Sequence, residues 1–200
     1  MTWYVVDGMD GSGKTTSSDL IRAELEKSGR KVLEITHPNP SCIFGRLAAR
    51  TLCIPGKPAE MMSTLLYVLD VLHSLNIRKW HGKEYDDIIF VRYSMAAAYV
   101  PDSLCKFMYR VIESVLPVPD VKIFVDIRAD VAMQRILARG EELEVFETED
   151  KLESTRAKMK SIAETWYVID NSGTIESTRE QTMKILEEVR RGDEGSDPFL

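Results

Sequence analysis

A glycine-rich segment directly after a short apolar run constrains this chain more than any other feature. Residues 8–15 read Gly-Met-Asp-Gly-Ser-Gly-Lys-Thr, which fits the pattern G-x-x-x-x-G-K-S/T at every fixed position. An apolar run, 3–7, precedes the segment, and an amphipathic pattern, 15–28, follows it. Glycines let successive backbone N–H groups turn toward an anion, and the first helical turn adds its positive dipole end. The segment therefore predicts a strand, a phosphate-binding loop and a helix, in that order.

The same pattern predicts a site for a nucleoside triphosphate with Mg²⁺. Lys14 would place its charge near the β- and γ-phosphates, and Thr15 would offer its hydroxyl to Mg²⁺. The Asn/Thr-Lys-x-Asp string with which GTPases recognise guanine is absent, as is the Leu-Ser-Gly-Gly string of a class of larger ATPases. A small kinase that uses ATP fits best. The residues expected to bind ATP are Gly8, Met9, Asp10, Gly11, Ser12, Gly13, Lys14, Thr15 and Thr16.

Strand and helix patterns alternate along the chain, which predicts an α/β fold. Buried strands are expected where short apolar runs lack polar alternation, because both faces of a parallel sheet are covered. We predict a P-loop NTPase fold: a five-stranded parallel sheet with helices on both faces, in one domain, 1–190, with a flexible tail, 191–200. The predicted strands are 3–7, 32–35, 88–91, 122–126 and 166–169, and the predicted helices are 15–28, 59–80, 130–139, 150–164 and 176–190.

The segment 59–80 is apolar over more than one helical stripe. Such a helix lies either in the centre of the core or in an interface with a partner subunit.

Composition excludes several classes of function. The chain has 26 Lys and Arg against 32 Asp and Glu, a net charge of −6, which argues against a protein that binds a nucleic-acid backbone. No apolar stretch is long enough for a membrane span, and the first residues do not resemble a signal peptide. The three cysteines have no metal-binding or paired spacing. A cytoplasmic protein without a membrane or nucleic-acid partner is expected.

The sequence resembles the thymidylate kinase family. The opening 5–16 is similar to that family's acid-Gly-x-Asp-Gly-x-Gly-Lys-Thr-Thr string, and the likeness continues through 119–126, 131–140, 146–149 and 169–172. It covers roughly 3–36 and 117–190 well and the middle of the chain poorly. The resemblance implies transfer of a phosphoryl group from ATP, with Mg²⁺, to a nucleoside monophosphate, most simply dTMP. It also implies a homodimer.

The resemblance assigns roles to individual residues as well. Asp10 would reach the sugar hydroxyl of the acceptor nucleotide, Arg92 would hold its phosphate, and Tyr93 would help to shape its pocket. Either Arg46 or Arg50, after the second strand, would also face the acceptor phosphate. Three further residues complete the predicted site: Arg135 and Arg139, which would neutralise the moving phosphoryl group beside a lid at 139–150, and Asp126, for a water-mediated contact with Mg²⁺.

The acceptor side departs from the family's pattern. Val91 stands where the family has the acid of Asp-Arg-Tyr, and Val71 stands where the long helix has an arginine. The loop after the second strand reads His37-Pro38-Asn39-Pro40 in place of Glu-Pro-Gly. Three interpretations stay open: a divergent thymidylate kinase, a kinase of another nucleotide or small phosphorylated metabolite, and a nucleotide-binding protein that no longer transfers phosphate.

Overall fold

The chain folds around one parallel sheet. A computed structural model describes residues 1–140 and 147–194. The sheet has the order β2-β3-β1-β4-β5, and every neighbouring pair is parallel, as predicted. Each strand begins and ends within one residue of its predicted bounds: β1 Thr2–Asp7, β2 Val32–Thr36, β3 Asp87–Val91, β4 Val121–Asp126 and β5 Tyr167–Asp170.

Seven helices lie in the described parts of the chain: α1 Lys14–Lys27, α2 Ile43–Leu52, α3 Lys57–His81, α4 Asp102–Val115, α5 Ala129–Arg139, α6 Glu149–Ile162 and α7 Ile175–Glu194. Short 3-10 turns lie at Gly82–Glu84 and Ser94–Tyr99. The predictions lacked α2 and α4, and α7 runs four residues past its predicted end. The rest of the predicted tail, 195–200, lies outside the described residues.

Alternating side chains of the strands build two cores, one on each face of the sheet. Trp3 and Val5 of β1 point into the core that packs under α3, α4, α5 and α6. Tyr4 and Val6 point the other way, into the core under α1 and α7. Because both faces are covered, the strands read as nearly continuous apolar runs. The prediction of helices on both faces is confirmed.

The strand order places the loop after β1 beside the loop after β3. Val6 of β1 is in register with Val91 of β3, and Asp7 is in register with Phe124 of β4. The next helices on either side of β1 cross to opposite faces, so a crevice opens at the carboxyl ends of these strands. The glycine-rich segment and Arg92 meet at that crevice.

The long helix α3 has a buried side and an exposed apolar side. Its Val71 is buried in the core, whereas Met61, Leu65, Val68 and Leu72 are exposed. These four residues, which we call the α3 apolar face, are spaced at 61, 65, 68 and 72 and so lie along one side of the helix. Within residues 1–140 and 147–194, no helix is long and apolar enough to cross a membrane.

Gly45 offers a test of how α2 packs. Its backbone lies so close to Asn39 that a Cβ atom would overlap the Asn39 backbone. We expect Gly45→Ala to destabilise the protein by about 1–3 kcal/mol, because overpacking outweighs the helix propensity of alanine.

Gly192 is the matched control for this substitution. It lies in α7 with open space where a Cβ would be, so Gly192→Ala is expected to stabilise by up to about 1 kcal/mol. Urea unfolding followed by circular dichroism measures both changes. A stabilising effect at Gly45 would contradict the packing described here.

Candidate active site

Two cavities open side by side at the carboxyl ends of the strands. The donor cavity, of about 560 Å³, lies among the glycine-rich loop, the start of α1, α5 and the loop after β5. The acceptor cavity, of about 280 Å³, lies among the loop after β1, α2, α3 and the turn Ser94–Tyr99. Arg92 and Pro38 line both cavities. The two spaces therefore share a wall.

The glycine-rich loop adopts a shape that only glycine allows at two points. Gly11 and Gly13 have φ angles of +73° and +88°, in the left-handed region. A Cβ on Gly11 would lie 2.6 Å from the carbonyl oxygen of Ala132, and one on Gly13 would overlap the Asn171 side chain. Asn171 Nδ2 also donates to the carbonyl of Ser12 at 2.6 Å. The loop after β5 thus holds the phosphate loop in place.

Lys14 is buried at the floor of the donor cavity. Its Nζ donates to the carbonyl oxygen of Met9 at 2.7 Å and lies 3.8 Å from Asp10 Oδ1. Burial, reinforced by the charge of Arg92, lowers the pKa of Lys14 to about 8. The group is therefore still protonated at pH 7, and its pKa lies nearer to that pH than the pKa of an ordinary lysine.

Five of the nine residues predicted to bind ATP line the donor cavity: Gly11, Gly13, Lys14, Thr15 and Thr16. The amides of the first helical turn have no acceptor within the helix, so they remain available to a ligand. Gly8 and Asp10 line the acceptor cavity instead. The side chains of Met9 and Ser12 are buried, that of Met9 within the core, so these two residues can serve a ligand only through their backbone.

Asp10 and Arg92 form an ion pair in the shared wall. The hydroxyl of Tyr99 donates to the other carboxylate oxygen of Asp10 at 3.1 Å. Burial raises the pKa of Asp10, but the charges of Arg92 and Lys14 outweigh it and lower the pKa to about 2. Asp10 is consequently ionised at physiological pH.

The backbone of Arg92 is held in an uncommon conformation. Its φ of +69° lies in the left-handed region, which is rare for a residue other than glycine. Its N–H donates to the carbonyl of Val6 at 3.0 Å, and its carbonyl oxygen accepts from His37 Nδ1 at 2.8 Å. Bonds on both sides of the residue fix this geometry, which directs the guanidinium toward Asp10.

A second buried carboxylate joins the ends of two strands. Asp7 Oδ1 accepts from the N–H of Gly8 at 2.9 Å, and Oδ2 accepts from those of Tyr93 and Met95 at 2.8 and 3.2 Å. Burial raises the pKa of Asp7, and these hydrogen bonds act against it. The carboxylate connects the glycine-rich loop to the segment that carries Arg92.

The two predicted arginines of α5 both line the donor cavity. Arg135 donates to the backbone carbonyl of Asn171 at 3.1 Å. Arg139 lies 3.7 Å from the carboxylate of Glu147, which is buried. Of the predicted lid, 139–150, residues 141–146 lie outside the described residues.

The side chain of Tyr93, which was predicted to shape the acceptor pocket, lies away from both cavities. The Tyr93 hydroxyl donates to the carbonyl of Pro117 at 2.9 Å, and its ring packs edge-on against Trp3 at 5.2 Å. The side chain belongs to the core and lines neither cavity. Its backbone, which is tied to Asp7, is what contributes to the site.

Arg46 and Arg50, one of which was predicted to face the acceptor, do not line the acceptor cavity. Both side chains are exposed, and Arg46 donates to the carbonyl of Pro40 at 3.1 Å. The residues of α2 that line the acceptor cavity are Ala48 and Leu52. The two arginines lie on another side of this short helix.

Asp126 does not fit its predicted contact with Mg²⁺. Its carboxylate accepts two hydrogen bonds from Arg156, at 2.8 and 3.0 Å, and lies 3.0 Å from Lys160. Burial acts to raise the pKa of Asp126, but the hydrogen bonds and charges of Arg156 and Lys160 outweigh it, so the pKa is lowered. The carboxylate is engaged by α6 and does not line the donor cavity.

Thr15 remains the residue with a hydroxyl suited to Mg²⁺. In the described parts of the chain, no cluster of three or more His, Cys, Asp or Glu side chains could hold a metal ion.

Several lining residues were not predicted. Glu60, Thr64 and Tyr67 of α3 line the acceptor cavity, and Asn171 lines the donor cavity. The spacing 60, 64, 67 places the first three on one side of a helix. That polar stripe beside the apolar residues was the signal available in the sequence.

Comparison with known proteins identifies the family. The family model for thymidylate kinase matches residues 6–182. A probable thymidylate kinase of Archaeoglobus fulgidus is 26% identical over 187 residues, covering 91% of this chain and 93% of that protein. A thymidylate kinase of Thermosipho africanus is 24% identical over 194 residues, covering 90% and 95%.

A solved structure shares the fold. The thymidylate kinase of Candida albicans superposes with a TM-score of 0.73 at 17% identity, covering 94% of this chain and 92% of that one. Three observations indicate the same family: the phosphate loop, the sheet order around it and the match over residues 6–182. The chain belongs to the thymidylate kinase family of nucleoside monophosphate kinases.

Proposed function

We propose that this protein transfers the γ-phosphoryl group of ATP to dTMP, giving ADP and dTDP. The observation that carries the proposal is the position of Arg92, which lines both the donor and the acceptor cavity. A cation in a shared wall can contact the phosphate of an acceptor and the phosphoryl group that moves toward it. Direct transfer between two bound nucleotides needs that arrangement.

The donor cavity supplies positive charge for the triphosphate. Lys14, Arg135 and Arg139 all line it, and they would neutralise charge that builds up on the moving phosphoryl group. Lys14 Nζ donates to the Met9 carbonyl, so a triphosphate would compete with that carbonyl for the ammonium. Thr15 would hold Mg²⁺, which offsets phosphate charge when it is bound.

The acceptor cavity supplies orientation and excludes water. Its walls are largely apolar, with Leu52, Met61 and Val100 among them. Ionised Asp10 would accept a hydrogen bond from the sugar hydroxyl, and Arg92 would pair with the phosphate. Excluding water matters because water is a competing acceptor of the phosphoryl group.

The relatives' names support the choice of acceptor. Both curated relatives described above are called thymidylate kinases, and they match over nine-tenths or more of their length. The departures at Val91 and Val71 fall at the donor cavity and in the core. Val91 is buried and lines the donor cavity, and Val71 packs in the core.

We also propose a homodimer that buries the α3 apolar face, and a cytoplasmic location. Met61, Leu65, Val68 and Leu72 are each at least 45% exposed and lie on one side of α3. Aligned apolar side chains of this kind suit a symmetric helix pair. The buried thiols of Cys42 and Cys105 suit a reducing compartment.

Substitution of Arg92 tests the transfer reaction. In a mixture with ATP and Mg²⁺, we expect the protein to release ADP only after dTMP is added. Arg92→Met should lower kcat/KM for dTMP by at least about a hundredfold, because the charge in the shared wall is lost. A coupled ADP assay measures this.

Arg46→Met and Arg50→Met are the matched controls. Both remove an arginine that lies outside the cavities, so both should keep activity within about twofold of the original protein. Loss of activity in either control would show that the substituted arginine does contribute to the acceptor site. Equal activity in Arg92→Met would refute the proposed role of the shared wall.

The lowered pKa of Lys14 predicts that ATP affinity depends on pH. Since the pKa is about 8, the ammonium loses its proton as pH rises above that value, and the triphosphate loses a cationic partner. The dissociation constant for MgATP should therefore rise with pH above about 8, approaching about tenfold per pH unit. Calorimetric titration from pH 7 to 10 measures it. Lys14→Met should bind more weakly at pH 7 and show a flat profile; a sloping profile would assign the dependence to another group.

The dimer is tested by placing charge on the α3 apolar face. Leu65→Asp combined with Leu72→Asp should convert a dimer into a monomer in sedimentation velocity at micromolar concentration. Val115→Asp, at a more exposed apolar residue of α4, is the control and should leave the dimer intact. If the original protein sediments as a monomer in the same experiment, the proposed dimer is wrong.

A further inference from the structure

The acceptor cavity has one wall whose chemistry the transfer mechanism does not use. Asp10 and Arg92 lie in the wall shared with the donor cavity, where the acceptor phosphate must sit. Apart from Asp7 and Tyr99, the remaining polar side chains come from α3: Glu60, Ser63, Thr64 and Tyr67. If a nucleotide places its phosphate at Arg92, its base extends into the rest of the cavity, along this α3 wall.

The hydroxyl groups of the acceptor cavity already donate their hydrogens to the protein. Every one of them has an acceptor within hydrogen-bond distance: Ser63 Oγ donates to the carbonyl of Ala48 at 3.4 Å, Thr64 Oγ1 to that of Glu60 at 2.9 Å, Tyr67 to that of Tyr93 at 3.2 Å, and Tyr99 to Asp10 at 3.1 Å. A hydroxyl that donates elsewhere can only accept from a ligand. The α3 wall therefore offers lone pairs and no free hydroxyl hydrogen.

Glu60 adds a carboxylate to the same wall. Its side chain is half-buried and lines the cavity. Its carboxylate has no ion-pair or hydrogen-bond partner within residues 1–140 and 147–194. An ionised carboxylate only accepts hydrogen bonds, so a ligand facing Glu60 is favoured when it presents N–H groups and disfavoured when it presents carbonyl oxygens.

We propose that Glu60 is a specificity-determining residue that selects the base by its N–H donors; the inference rests on the proposed function of a nucleoside monophosphate kinase. Thymine presents one N–H between two carbonyl oxygens. Cytosine replaces one of those carbonyls with an amino group, which Glu60 accepts from. The pocket thus takes amino-substituted pyrimidine nucleotides as well as dTMP.

A matched pair of ligands isolates this contact. The monophosphates of thymidine and 5-methyldeoxycytidine share size, methyl group and sugar, and their bases differ in the carbonyl or amino group at C4 and in the proton on N3. For the original protein we expect dissociation constants within about tenfold of each other. In Glu60→Gln, an amide N–H replaces one carboxylate oxygen, and preference should move toward dTMP by about tenfold or more. Calorimetric titration measures both ligands with both proteins.

Glu26→Gln is the control for the change in charge. Glu26 is exposed on α1, away from both cavities, and its substitution should leave the preference unchanged. A preference in Glu60→Gln equal to that of the original protein, with binding and transfer to dTMP intact, would overturn the role of Glu60 and leave the proposed function standing. The role of Glu60 would also be overturned, with the proposed function still standing, if the original protein bound the cytosine nucleotide more than about a hundredfold more weakly than dTMP. If the original protein neither binds nor phosphorylates either of the two nucleotides, the proposed function itself is overturned.

Discussion

The geometry of this site depends on the hydrogen bonds that the buried carboxylate of Asp7 accepts. It stands at the end of the central strand β1 and accepts three backbone hydrogen bonds, from Gly8, Tyr93 and Met95. These bonds stabilise the charged carboxylate and so act against burial, which raises the pKa of Asp7. Because those amides belong to the loops after β1 and β3, one side chain sets the distance between the phosphate loop and Arg92.

Arg92 illustrates how that constraint is used. A non-glycine residue in the left-handed region costs about 1–3 kcal/mol and persists only where its surroundings enforce it. Here the enforcement comes from β1 through Val6, from His37 on the neighbouring loop, and from the ion pair with Asp10. The cation between the two cavities is thus held in place before any nucleotide arrives, which lowers the entropy lost when substrates bind.

Sequence alone predicts the local elements of this molecule well and the directions of its side chains poorly. All five strands were expected within one residue, because buried parallel strands leave a clear apolar signature. The helices α2 and α4 were missed, and Tyr93, Arg46, Arg50 and Asp126, all expected at the site, line neither cavity. Asp126 shows the physical reason: its partner Arg156 lies 30 residues away in the chain, and no local pattern reveals that such a partner will occupy the carboxylate.

The two cores described above lie on opposite faces of the sheet, and this separation bears on how such a protein can evolve. The helix that begins the donor cradle, α1, is packed with α7 on one face, whereas α3, which forms the acceptor wall, is packed on the other. Substitutions that reshape the acceptor wall need not disturb the packing behind the phosphate loop. The chain can therefore drift in which nucleotide it accepts while its capacity to hold the phosphoryl donor is inherited unchanged.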